Sequence, residues 1–228
     1  LGAEPRLGVL LVGGAASGAA ALAADLVALL EERDPLRGRR DEPAPADLEL
    51  RVQALQAMRA GHAPAEADAS ALQRVARAAR HWTRVAARLP GPPAERAAPS
   101  VGGLLSLAFP DRIGRRRGAS GARYLLASGR GAALPERDPL AASELIVAAD
   151  LDAGRADGRI RLAAALPPAE LRALHGTRIR REDRVAWDSE RGLVRAERVE
   201  RLGAVVLASV PLAEPDPAAI ADALCAAL

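Results

Sequence analysis

The sequence contains no lysine; all 32 of its basic side chains are arginine. It contains no asparagine, and across 228 residues only one cysteine, one methionine, one tyrosine, one phenylalanine and two tryptophans. Each shortage excludes a chemistry. Without lysine there is no Walker A phosphate loop, no protein-kinase site and no Schiff-base catalysis. A lone Cys225 rules out an internal disulfide framework and fits a reducing, cytoplasmic setting. With only His62, His81 and His175 beside it, it supplies no convincing zinc cluster. No stretch reaches the roughly 18 apolar residues of a membrane helix, so no membrane partner is expected. The opening residues Leu1 to Arg6 have no Met, no basic n-region and no signal-peptide shape. They read as the start of a piece cut from a longer protein.

What is present suffices for a core. Hydrophobic residues make up 50% of the chain and charged residues 27%, a globular balance in a length suited to one or two domains. Alanine and arginine replace most alternatives. The arginine total is therefore weak evidence for a polyanionic partner, and where the arginines cluster matters more.

The first ninety or so residues read as helical. Leu22, Leu26, Leu29 and Leu30 follow helical spacing and run into Glu31 to Asp34, with Pro35 as a stop. A polar, Pro-rich loop over 37–47 precedes a second helix through Leu48, Val52 and Leu55. After a break at 61–68, Ser70 to Gln73 has a capping-box pattern and opens a third helix. There Leu72, Val75, Ala79, Trp82, Ala86 and Leu89 share one face. Arg74, Arg77, His81, Arg84 and Arg88 share another, and no acid occurs between Arg74 and Arg88. Such a stripe is either the solvated side of an amphipathic helix or a surface facing phosphates.

Prolines at 90, 92, 93 and 99 mark a linker. Beyond it the pattern turns to short strands: 123–128, 144–149, 159–164, 184–187, 193–200 and 204–209. A hairpin turn lies at 187–193, and a short helix opens at Pro167-Pro168. Five or six short strands with one helix inserted midway suit a small barrel of the OB type. Asp216-Pro217 then starts a last helix carrying Ile220 and Leu224, with Cys225 beside its apolar stripe. The fold class is accordingly α+β: an N-terminal α-helical bundle, a small OB-like β-barrel and a closing short helix.

Few motifs carry chemistry. Val9 to Gly18 mimics a dinucleotide-binding turn, but no second βα unit follows and the chain has no Tyr-x-x-x-Lys pair; small residues joining two helices are the simpler reading. The three histidines are scattered, as ordinary surface residues would be, and form no Ser-His-Asp constellation. Asp150 and Asp152 end a strand without further ligands. One segment stands apart. Between Asp111 and Arg130 lie Arg112, Arg115, Arg116, Arg117, Arg123 and Arg130 against a single acid, whereas residues 131–228 carry 13 arginines against 16 acids. Phe109 and Tyr124 flank the cluster. Cations that hold phosphates beside rings that stack on bases suit a single strand; a flexible basic loop between domains is the plainer alternative.

This segment resembles a known family. Leu104 to Ile113, Arg115-Arg116-Arg117, Arg123 to Leu126, Ser128 to Ala132, Asp138-Pro139-Leu140 and Ala148 to Asp152 are similar to the HrpB branch of bacterial DExH-box ATP-dependent helicases. So are Leu1 to Leu7 and Ala23 to Leu36. The sequence departs from the family at Glu4, where a His is usual, and over Gly8 to Gly18, where bulkier helical residues are usual. The resemblance implies a helicase-associated, ratchet-like helical bundle over 1–96, an OB-like domain over 97–214 and the first helix of a C-terminal extension over 215–228. It also implies upstream RecA-like domains of the same protein, which would bind ATP and Mg, and a winged-helix domain. No cofactor and no catalytic residue is expected in this chain.

The expected role is that of an accessory fragment of an ATP-dependent RNA helicase, forming part of a channel for single-stranded RNA or DNA. Arg112, Arg115, Arg116, Arg117, Arg123 and Arg130 are the expected phosphate or base contacts, with Tyr124 as a stacking platform. Arg74, Arg77, Arg84 and Arg88 are a second set. The alternative is a protein-interaction module, docking on the RecA core or a partner, in which the same arginines pair with acids.

Overall fold

The computed structural model describes residues 4–38, 43–62, 64–91, 98–118, 121–152 and 157–227. Parts of the expected loop over 37–47 and of the linker, Pro92 and Pro93 included, lie outside the described residues.

Four helices come first: α1 (Pro5–Ala16), α2 (Ala20–Glu31), α3 (Leu48–Arg59) and α4 (Ala69–Ala86). α1 and α2 are joined by a tight turn of small residues and pack closely. A Cβ at Gly14 would sit 2.2 Å from that of Ala23, so only glycine permits this approach. α2 is buried along Ala23 to Leu29 and lies against both α1 and α4. Polar bridges fix the angles between the helices. Arg59 grips Asp25 with two bonds of 2.7 Å, and Trp82 donates its Nε1–H to Glu31 at 2.8 Å. Arg51, 1% exposed, reaches both carboxylate oxygens of Asp34 at 3.2 and 2.6 Å and the carbonyls of Asp47 and Pro45. It ties α3 to the chain leaving α2. The cap of α4 differs from the capping-box expectation. Asp68, two residues before Ser70, accepts from the amides of Ser70 and Ala71 at 2.9 and 3.1 Å, and carboxylates take this position readily. Arg37 and the Ser70 hydroxyl hold the Asp68 carboxyl well below the usual carboxylate range.

α5 (Val101–Ala108), which the strand-like reading of this region missed, joins the helices to the strands. A Cβ at Gly102 would lie 2.0 Å from the carbonyl oxygen of Ala165, so the helix rests directly on a strand backbone. Its cap, Ser100, is held by Glu170 through bonds of 2.7 and 2.5 Å. One apolar core runs from α1–α4 through α5 to Ile113, Val147, Ala164 and Leu166.

The strands are β1 (Ile113–Arg116), β2 (Arg123–Leu126), β3 (Gly131–Ala133), β4 (Leu145–Leu151) and β5 (Gly158–Ala165), then α6 (Pro168–His175), β6 (Arg180–Asp188), β7 (Leu193–Leu202), β8 (Val205–Pro211) and α7 (Pro217–Cys225). β1 to β5 close into a barrel in the order β1-β2-β3-β5-β4, filled by its own core around Tyr124, Leu126, Ile146 and Ile160. The later strands do not continue the barrel as expected. β6, β7 and β8 form a separate antiparallel sheet. Their alternating arginines and acids pair across strands, as in Asp183–Arg198 at 2.7 Å and Glu182–Arg201 at 2.9 Å. The β7–β8 turn is pinned to the barrel. Gly203 has φ +57°, and a Cβ there would lie 2.3 Å from the Ala127 carbonyl, which accepts from the Ala204 amide at 2.9 Å.

His175 is not the surface histidine its isolation implied. It is 2% exposed, with Nε2 2.8 Å from Ser106 Oγ. The Ser106 hydroxyl donates to the Gly103 carbonyl, so the imidazole donates to Ser106. Burial, and then the Arg178 cation, lower its pKa from the ordinary histidine value. Cys225 is likewise exposed rather than packed.

Two outcomes follow. Arg51→Ala strips partners from Asp34 and two carbonyls and should cost about 3 kcal/mol in urea unfolding. Because the folded pKa of His175 lies below its unfolded value, its contribution is complete above about pH 6.5 and is lost as pH falls through the folded value. The urea midpoint should therefore drop between pH 7.5 and pH 5, and His175→Gln, which keeps a donor for Ser106, should remove that part of the drop.

Candidate nucleic-acid interface

The arginines of 112–130 do not share one groove. Arg112 donates to the Ala149 carbonyl at 2.6 Å and lies with Arg6 against the Phe109 ring, each guanidinium 5.2 Å from its centre. Arg6 is also bound to Asp111 at 2.7 Å. Arg115 donates to the Val206 carbonyl and pairs with Glu144 at 3.0 Å, joining the barrel to β8. Arg116 points into one end of the barrel and reaches the Ala141 carbonyl at 3.4 Å. These three are structural links. Arg130 is exposed on the β2–β3 turn, with no side-chain partner among the described residues.

Tyr124 cannot stack on a base. Its ring is fully buried in the barrel, and its hydroxyl lies 2.8 Å from the Leu140 carbonyl and 3.1 Å from that of Ser143. Burial raises its pKa. The inward step of β2, where Tyr124 and Leu126 alternate with outward Arg123 and Leu125, settles its direction.

Arg117 and Arg123 do come together. The Arg117 amide donates to the Arg123 carbonyl at 2.7 Å, placing the two opposite each other where the β1–β2 hairpin ends. Arg123 is opposite Ala133, and Ala133 opposite Arg159, so Arg117, Arg123 and Arg159 form a row across neighbouring strands. Residues paired this way share a face, and all three are exposed. Asp157 lies 3.4 Å from Arg123 and offsets part of the charge. Sequence reading did not single out Arg159, although its alternation with Ile160 was the available signal.

The α4 stripe is the larger open cationic surface. Leu72, Val75, Ala79, Trp82 and Ala86 are buried, as spaced. Arg77, Arg80, His81, Arg84 and Arg88 are exposed on the other side. Arg74 lies 3.9 Å from Glu32, and Arg84 bonds only the Arg80 carbonyl. Arg77, Arg80 and Arg88 have no side-chain partner among the described residues. From Arg77 to Arg88 the stripe extends about 16 Å at the helical rise. The two sets thus exchange rank: the expected principal cluster is mostly engaged internally, and the secondary stripe is free.

Among the described residues no group of three His, Cys, Asp or Glu side chains could hold a metal ion, and no helix is long and apolar enough to cross a membrane. Its open basic surfaces are the α4 face and the row of Arg117, Arg123 and Arg159.

Comparison with known proteins agrees. Residues 178–212, the β6–β8 sheet, match the family model of the connector region of the ATP-dependent RNA helicase HrpB. Over 225 residues the chain is 33% identical to the ATP-dependent RNA helicase HrpB of Escherichia coli strain K12, covering 94% of this chain and 24% of that protein. Two solved structures are similar as well. The E. coli DExH-box NTPase HrpB has a TM-score of 0.68 and 29% identity over 98% of this chain. The E. coli DEAH/RHA helicase HrpB has a TM-score of 0.65 and 27% identity over 97%. The chain spans about a quarter of the length of these relatives. Over that quarter the chain is similar to HrpB-type helicases, with its β6–β8 sheet similar to their connector region.

Tyr124→Phe should cost about 1 kcal/mol of stability through the lost hydroxyl bond and leave any nucleic-acid affinity unchanged. Arg115→Ala should lower the unfolding midpoint, whereas Arg117→Ala should not; paired urea titrations compare them.

Proposed function

We propose that this chain is an accessory, nucleic-acid-contacting part of an ATP-dependent helicase. The observation that carries the reading is the exposed face of α4, where Arg77, Arg80, Arg84 and Arg88 meet no acid among the described residues. Lys-free, the chain has no P-loop; ATP and Mg belong to motor domains outside it. Driven movement of those domains would draw a single strand past the helical bundle and the barrel, which would form one wall of the channel. The barrel supports this in a second way. Its five strands close in the order β1-β2-β3-β5-β4, which supports the OB-like reading, and such a fold binds oligonucleotides on the face of strands 2 and 3 and on the adjoining loops. Arg123 lies on β2, with Arg117 beside it after β1 and Arg159 on β5 next to β3. The arginines hold phosphates and read no bases, so binding is indifferent to sequence. RNA and DNA both fit.

A second reading is favoured by a specific observation. Arg112, Arg115 and Arg116 are engaged in holding parts of this chain together, as in a module built to dock on the motor core or on a partner protein.

The two are separated by anisotropy of a labelled single-stranded RNA titrated at several salt concentrations. On the nucleic-acid reading, replacing Arg77, Arg84 and Arg88 together with Gln flattens the log–log salt dependence by about 2, at roughly 0.7 for each phosphate no longer neutralised. Affinity falls equally for unrelated sequences. An unchanged slope and affinity would sink the reading and leave docking as the function of these surfaces.

A further inference from the structure

α1 has a face that no other part of the described chain covers. Its inward positions, Leu7, Leu10, Leu11, Gly14 and Ala15, are buried against α2 and α5. At 100° per residue, Pro5, Gly8, Val9, Val12 and Ala16 gather on the opposite side. Val9 is 50% exposed and Val12 47%, and a Cβ added at Gly8 would meet nothing within 4 Å. The one charged side chain of the helix, Arg6, is turned away to Asp111 and Phe109. From Leu7 to Ala24 there is no charged residue, where a chain 27% charged would carry roughly five in eighteen positions.

A solvated helix places charge on its outer face, and a helix apolar all round is buried in the working protein. The occupant's chemistry follows from the surface. With no charge to pair and only small or β-branched side chains outward, the face fits a second apolar helix, at an axial distance of about 8 Å, near the short end of helix packing. The likeness to proteins four times as long, aligned over 94% of this chain, points to where that helix comes from. The surface is also separate from the cationic one: α2 packs between α1 and α4, so both can be occupied together.

We infer that the outer face of α1 is a docking surface for an apolar helix from another domain of the same longer protein. The inference rests on the reading of this chain as an accessory part of a larger helicase. It adds the surface by which the part is held in place.

The test places a thiol on the face. Val12→Cys is introduced with Cys225→Ser, both in the 228-residue chain and in the full-length protein that carries it. Maleimide labelling is then followed by mass on the peptide containing position 12. The expected result is labelling at the rate of an open thiol in the 228-residue chain and roughly tenfold slower labelling in the full-length protein. Equal rates in the two would overturn the inference. Slow labelling of the 228-residue chain itself, with a doubled mass in sedimentation, assigns the face to a second copy and also overturns it. A second variant, Val9→Glu with Val12→Glu, should leave the unfolding midpoint of the 228-residue chain unmoved and lower that of the full-length protein. Neither readout involves α4, so failure of the RNA titration and failure of the docking are seen separately.

Discussion

The arrangement of this chain depends on one contact: α5 lying on the backbone of β5, with Gly102 against the Ala165 carbonyl. A side chain at that glycine would hold the helix off the barrel by its own thickness. Because the contact is so close, α5 can face α1 on one side and the barrel on the other within eight residues, and a single core passes through it. The polar groups around it are paired as burial demands: Ser100 with Glu170, and Ser106 with His175. The helical part and the barrel are therefore joined by packing rather than only by the chain between them.

Having no lysine, the chain uses arginine for two separate purposes. Where a guanidinium can reach carbonyls and carboxylates in a fixed fork, it serves as a crosslink, as Arg51, Arg59, Arg112 and Arg115 do. Where a helix or strand points it outward and leaves it exposed, as on α4 and across Arg117, Arg123 and Arg159, it remains available to an external anion. Local charge density cannot separate these uses. The 112–130 segment is dense because the barrel begins there and must be tied to β4 and β8, so three of its six arginines, Arg112, Arg115 and Arg116, bond carbonyls within the fold.

The same physics explains how much could be read from sequence. α2, α3 and α4 were legible because twelve to eighteen residues repeat one period, and the burial of Leu72, Val75, Ala79 and Trp82 follows that period. β4 to β8 were legible from their apolar or alternating runs, with ends moved by a few residues. β1 and β3 were not, since three or four residues of Gly, Ala and Arg carry no alternation, and α5 was hidden by two glycines that packing, not propensity, requires. Division of the strands between a barrel and a separate sheet depends on pairings distant in sequence. For the interface, α4 was legible as a stripe; the burial of Tyr124 follows from the parity of the strand read over 123–128, but which of its two faces turns inward depends on pairings distant in sequence. Arg159 joined the cationic row only through the pairing of β3 with β5.

The ribbon formed by β6 and β7 has a mechanical consequence. Its two strands of nine and ten residues make an arm about 30 Å long, stiffened along its length by cross-strand ion pairs. It is clamped at one end by the Gly203 turn on Ala127 and by Arg115 on Val206. Displacement at its tip is therefore delivered as torque at the β2–β3 hairpin, on the same barrel that carries Arg117 and Arg123. A load on the tip would bear on the barrel through the Ala127 and Arg115 contacts, at the turn that follows β2.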